Sequence, residues 1–332
     1  MRVLGVLFLV FILSLLSTVR AGDQTPSPVL SACPLPAEGE TALDCPWAAI
    51  ARDLGAAPPA KVSETMDRIA PDYAKRIERE GRIAHNVKKL WGTSINFDEN
   101  AKGIIIAEPI IDAVLAKAKV PPRDGRHVFA GFEHTYGYLL SNLKTPYGYK
   151  RLRWVRPDIE LGFGLETGSI SPTPKSGGLF MNISTFAGTI AFRGHNGPEM
   201  AALKILRKTS GAARAIRNFD YASLHGRRLT ETLAFEGGRT LEIRTDFVPF
   251  TKNTGADTGG NSELLIYSMK DSSLPLPYLI SAFPIAPGFS DGALAAAGLG
   301  EGKPIVTKYN AFVPGVTDMK AALTGKREAS AF

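Results

Sequence analysis

Imidazole and phenol groups crowd one point of the chain, Phe132-Glu133-His134-Thr135-Tyr136-Gly137-Tyr138. Read with a two-residue period, His134 shares a side with Phe132, Tyr136 and Tyr138, and Glu133 and Thr135 lie opposite. Such a stripe can line a ligand groove, because aromatic rings supply contact area and polar tips orient what binds. The bland alternative is a satisfied core histidine among core aromatics; the groove is the expectation taken forward. His195 lies in Arg193-Gly194-His195-Asn196-Gly197, where a strand end feeding a helix start would let a side chain reach an anion, although the two glycines also suit any tight turn. His134 and His195 are therefore the candidate catalytic bases, with Glu160 or Asp158 as an acid that no motif places. His85 reads as a solvated helix residue, His127 as a strand entrance and His225 as a loop residue.

Charge clusters more sharply than it totals. Lys144, Lys150, Arg151, Arg153 and Arg156 occur without an intervening acid, interleaved with Tyr147, Tyr149 and Trp154. Strand alternation puts Arg151 and Arg153 together, opposite Leu152 and Trp154. Guanidinium groups beside aromatics suit acidic polymers or phosphates, through charge-assisted hydrogen bonds and stacking. Arg151, Arg153 and Trp154 thus join Tyr136 and Tyr138 as candidate ligand-binding residues; the alternative is a solvated strand face over a Trp-anchored core. Lys204, Arg207, Lys208, Arg214, Arg217, Arg227 and Arg228 form a looser second group. The whole chain carries 39 Lys and Arg against 32 Asp and Glu, a net charge of +7, which is small for a nucleic-acid binder. An anionic or carbohydrate-like ligand fits better.

Stronger signatures are absent from the sequence. No H-E-x-x-H, G-x-S-x-G, Walker loop or strand-borne G-x-G-x-x-G is present, so the commonest metalloprotease, esterase and nucleotide readings lose their main support. No motif points to a cofactor or a metal. Asp257-Thr258-Gly259 matches the carboxylate triplet of aspartic proteases, but Gly255-Ala256 precede it where that chemistry needs an apolar strand and a second facing carboxylate. The two cysteines, Cys33 and Cys45, read as a disulfide in an exported chain. The short loop would add about 3 kcal/mol at most.

Export is the reading of residues 1–21. Arg2 precedes the apolar run Val3 to Leu16, which is followed by Val19-Arg20-Ala21; this is the size of a signal-peptide core and short of the ~20 residues that span a bilayer. Cleavage after Ala21 would leave 37 basic against 32 acidic residues, with no transmembrane span in the mature chain. Leu30-Ser31-Ala32-Cys33 imitates a lipoprotein site, but the polar, Pro-broken stretch Gly22 to Pro28 separates it from the apolar run.

The elements that must hold these groups follow from period. Residues 22–45 are a Pro-rich lead-in carrying the disulfide, and 46–123 read as helical. There Val62, Met66, Ile69, Tyr73, Ile77, Ile83, Val87 and Leu90 recur at steps of mostly three or four, with a restart at Pro71 and a weak point at Gly81. A short helix at 47–54 precedes them and another at 110–119 follows. From 124 to 332 the period falls to two, predicting an antiparallel β-rich domain. Strands are expected over 128–140, 161–165, 179–184, 187–193, 263–269, 277–283 and 304–313, with a helix at 200–208 opened by a capping box at Asn196 to Glu199. The parity of Leu229, Leu233 and Phe235 against Leu241, Ile243 and Phe247 demands a hairpin loop with an odd number of residues, with Gly238 left-handed.

The class is α+β, a helical N-terminal part followed by a larger, sandwich-like antiparallel β-sheet part. Composition agrees: 44% hydrophobic and 21% charged residues in 332 exclude a disordered or fibrous chain, and a mean hydropathy of -0.01 excludes a polytopic membrane protein. The leading functional expectation is a periplasmic or secreted protein binding an anionic or carbohydrate-like ligand. Alternatives are a secreted hydrolase with a His general base and a structural or assembly protein of the envelope.

Overall fold

The structure is a computed structural model that describes residues 58–69, 71–87, 90–98, 101–120, 127–129, 131–137, 141, 143–145, 148–149, 158–166, 169–170, 179–193, 201, 203–204, 207–208, 213–249, 262–272, 278–285, 288–297, 300–301, 311–312 and 324–332. Helix formation begins where a proline can occupy the first turn, which needs no N–H from it. Helix α1 spans Pro59–Ile69 and α2 spans Pro71–Val87, with the break at Pro71 that the sequence predicts. Val62 and Met66 of α1, and Ala74 and Ile77 of α2, are buried. Both helices pack on α3, Glu108–Ala118. Gly81 lies at the crossing of α2 and α3: a Cβ there would stand 2.6 Å from Ala118 Cα. The residue expected to weaken the helix is what lets it approach its neighbour.

Four segments read as strands run into helix, the first of them keeping its strand at His127–Phe129. Phe132–Gly137 forms α4, Asp158–Gly162 forms α5, and Leu179–Ala191 forms the single helix α6 where two strands were expected. Every residue from Phe180 to Phe192 is buried. A helix enclosed on all sides has no polar face, so its 3.6-residue period vanishes and its Ile, Thr and Phe residues imitate β propensity. Phe132 and Tyr136 do share a side, but as helical i and i+4 neighbours with ring centroids 5.0 Å apart; a spacing of four fits both periods. The 200–208 helix is seen at 201, 203–204 and 207–208, followed by α7, Arg214–Asn218.

The β part is one antiparallel sheet in the order β10-β9-β8-β7-β13-β11. Its strands are β7 (Arg227–Ala234), β8 (Thr240–Pro249), β9 (Glu263–Asp271), β10 (Tyr278–Ile285), β11 (Gly300–Glu301) and β13 (Thr324–Ala331). In the β7–β8 hairpin Leu233 pairs with Leu241 and Leu229 with Thr245, the odd-loop register. The bond from Phe235 N to Arg239 O, 2.8 Å, closes a tight loop in which Gly237 and Gly238 have φ of 75° and 78°. One sheet face sets Val248, Leu264, Ile266, Leu279 and Ala282 into the cluster that includes α6. The other gathers Leu229, Leu233, Leu241, Ile243, Phe247, Leu265, Tyr267 and Met269, against which Phe289, Ala293 and Leu294 of α8 (Phe289–Ala297) pack. The class is therefore α+β, and helices pack on both faces of the sheet among the described residues. A smaller three-stranded sheet joins β1 (Thr93–Ile95) to β4 (His127–Phe129) and β12 (Ala311–Phe312), and β2 (Phe97–Asp98) pairs with β3 (Gly103–Ile104). The segments 47–54 and 304–310 lie outside the described residues.

Candidate functional site

Glu80 is the most chemically distinctive group. It follows Ile77 by three residues on the buried side of α2, and its side chain is fully enclosed. One oxygen, Oε1, accepts from Met181 N at 3.0 Å; Oε2 accepts from Phe180 N at 3.1 Å and from the Tyr136 hydroxyl. These N–H groups belong to the first turn of α6, which has no intrahelical acceptor for them. A carboxylate from another helix supplies it, with favourable alignment to the helix dipole. Burial nevertheless pushes the Glu80 carboxyl up from 4.5 to about 7, against the two N–H groups and the Arg76 and Arg79 guanidiniums, which pull it down. Arg76 is buried beside it on α2, Glu133 and Tyr136 are buried on α4, and α6 carries no ionisable residue. The arrangement can hold and release a proton near neutrality at a junction of three helices.

Around that junction several polar groups are occupied by structure. Trp91 Nε1 donates to Ser184 Oγ at 2.8 Å, and Ser184 Oγ donates to Phe180 O at 2.6 Å. Asn182 Nδ2 donates to Ser169 O at 2.7 Å, and Asn182 Oδ1 accepts from Ala213 N at 3.3 Å. Glu160, the acid named with the histidines, is enclosed, and its Oε1 accepts from Ile170 N at 2.5 Å. Among the described residues no group of three His, Cys, Asp or Glu is placed to hold a metal ion.

The expected groove does not survive at Tyr136. The side chain has no exposed surface, and its hydroxyl is spent on Glu80. His134 lies on α4 rather than on a strand, so the helical turn takes position 134 off the Phe132–Tyr136 side. Tyr138, Arg151, Arg153, Trp154, His195, Cys33, Cys45 and the Asp257 triplet lie outside the described residues. Of the basic segment, Lys144–Thr145 (β5) and Gly148–Tyr149 (β6) pair as a two-stranded hairpin, Lys144 opposite Tyr149. Its base is held by Leu143, packed against the main cluster, and by Ser141, whose hydroxyl donates to Ile105 O.

The second basic group separates into two kinds. Arg228 grips buried Asp246 at 2.6 and 3.0 Å, and Arg227 reaches Asp291 and Glu263. Lys204, Lys208, Arg214 and Arg217 instead stand exposed. Glu80 was missed in sequence although one signal marked it: an acid three residues from Ile77 and three from Ile83, on the apolar stripe. Its partners, 56 to 101 residues away, had no local signal. Compared with known proteins, the chain matches no family model, no curated protein and no solved structure.

Proposed function

We propose that this is an extracytoplasmic protein, periplasmic or secreted, that binds an anionic, carbohydrate-like ligand through the basic segment from Lys144 to Arg156. The observation that carries the reading is the hairpin of β5 and β6. It joins no larger sheet among the described residues, and Leu143 and Ser141 fix its base, so Lys144–Thr145 and Gly148–Tyr149 form an arm anchored to the core. Arg151, Arg153 and Trp154 follow that arm in sequence, and guanidiniums next to rings recognise sulfate, phosphate or carboxylate through paired hydrogen bonds. Among the described residues no helix is long and apolar enough to cross a membrane. Export rests on the charged start and apolar run of residues 1–21.

Changing Arg151 and Arg153 together to Gln is expected to shorten retention on a sulfated polysaccharide column. The melting temperature should stay nearly constant, since exposed charges contribute little to stability. Retention equal to that of the parent would overturn the assignment of this segment.

A further inference from the structure

The fold treats its arginines in two ways. On the sheet four are matched: Arg227 to Asp291 and Glu263, Arg228 to Asp246, Arg239 to Asp271 and Arg244 to Glu242. Around α7 the matching stops. From Arg193 to Arg217 the sequence holds six cations and one acid, Glu199. Lys204, Lys208, Arg214 and Arg217 are exposed and make no ion pair among the described residues. Arg207 draws the two helical segments together, donating from Nη2 to Arg217 O at 2.6 Å while its guanidinium lies 5.5 Å from the Tyr221 ring centroid. Arg193 fixes the next turn by donating to Leu224 O at 2.7 Å and Ala222 O at 3.1 Å. Two arginines are thus spent on holding a platform, and the remaining like charges are crowded on it without neutralisation, at a cost in self-repulsion.

We infer that the exposed face formed by Lys204, Lys208, Arg214 and Arg217 is a second anion-binding surface, shaped for a linear acidic polysaccharide bearing sulfate, phosphate or carboxylate groups. Lys204 and Lys208 are i and i+4, Arg214 and Arg217 i and i+3, so each pair shares one helix side and offers repeated charges to a repeating ligand. Nucleic acid fits less well. The neighbouring rings of Phe186, Phe219 and Tyr221 are already packed on one another at 5.1 to 5.7 Å, and Arg207 lies over Tyr221, leaving little ring surface for bases to stack on. A bilayer also fits less well, because Leu203, Ile216 and Leu224 are buried and supply no apolar group for insertion.

The surface is independent of the hairpin, and one experiment separates them. Binding of the full chain to fluorescent dextran sulfate is measured for the parent, for Lys204→Gln/Lys208→Gln/Arg214→Gln/Arg217→Gln, and for the charge-matched control Lys75→Gln/Arg82→Gln/Lys102→Gln/Lys119→Gln, whose positions are also exposed. The first variant is expected to lose about tenfold in affinity and the control about twofold, with a shallower salt dependence only in the first. Arg151→Gln/Arg153→Gln, run alongside, reports on the Lys144–Arg156 segment alone. Equal losses in the two quadruple variants would overturn the proposal. So would tighter binding of the parent to a single-stranded oligonucleotide or to phosphatidylglycerol vesicles than to dextran sulfate.

Discussion

At the scale of single residues, Glu80 ties stability to pH with a definite sign. Its carboxyl titrates near 7 when folded and near 4.5 when free, so between those values the folded chain holds a proton that the unfolded chain has released. The stabilisation is complete below about 4.5 and is lost as pH rises through about 7, by roughly 3 kcal/mol in all. Urea denaturation of the parent should therefore give falling stability from pH 5 to pH 8. In Glu80→Gln that fall should flatten, because the amide has no proton to release; at pH 5, where Glu80 is already neutral, the variant should differ from the parent by only about 1 kcal/mol. An unchanged pH slope in the variant would remove Glu80 from this role. Tyr136 gives a companion result. Its truncation to Ala should cost about 3 to 5 kcal/mol, as for an aromatic ring lost from a core, and Tyr136→Phe about 1 to 3 kcal/mol through the Glu80 oxygen it deprives of a donor. A cost well below 1 kcal/mol for Tyr136→Ala would restore the groove.

At the scale of elements, legibility depended on whether a segment has a wet side. Helices α1 to α3 were readable because Val62, Met66, Ile77 and Ile110 recur against exposed Lys61, Glu64 and Lys75, and the β7–β8 hairpin because its burial alternates along Arg227–Ala234. Helix α6 was not, since nothing along it faces water, and α4 was not, since four-residue spacing satisfies both periods. The junction at Glu80 inherits both blind spots: its carboxylate was visible as an acid on an apolar stripe, while its donors lie on the two helices taken for strands. The α2–α3 crossing allows a test in which propensity and packing have opposite signs. Gly81→Ala should stabilise a free helix by about 1 kcal/mol. Here the added methyl would meet the Ala118 backbone, so the variant should instead lose about 1 to 3 kcal/mol, as overpacked sites do. Thermal denaturation decides it, and a raised melting temperature would show that the helices separate freely.

Over the whole molecule, one cluster runs from Val62 on α1 through α6 to Ala282 on β10, and Gly92 N donates to Leu279 O at 2.9 Å, so the N-terminal helices and the sheet share a core. The described surface presents charge rather than apolar area: Ile104 is its one exposed large hydrophobic side chain. Cations are unevenly paired: Arg227, Arg228, Arg239 and Arg244 on the sheet meet carboxylates, whereas among the described residues Lys204, Lys208, Arg214 and Arg217 around α7 do not. That unevenness, with the basic hairpin, is the basis for reading the protein as a binder of acidic polysaccharide. The most direct test is the affinity of the parent chain for dextran sulfate and for uncharged dextran between 50 and 200 mM salt, roughly the range over which phosphate-contacting proteins lose several orders of magnitude. Binding to the sulfated polymer should be saturable, with the logarithm of its affinity falling linearly with the logarithm of salt, and the neutral polymer should not bind. Equal affinity for both polymers, or none for either, would contradict that reading.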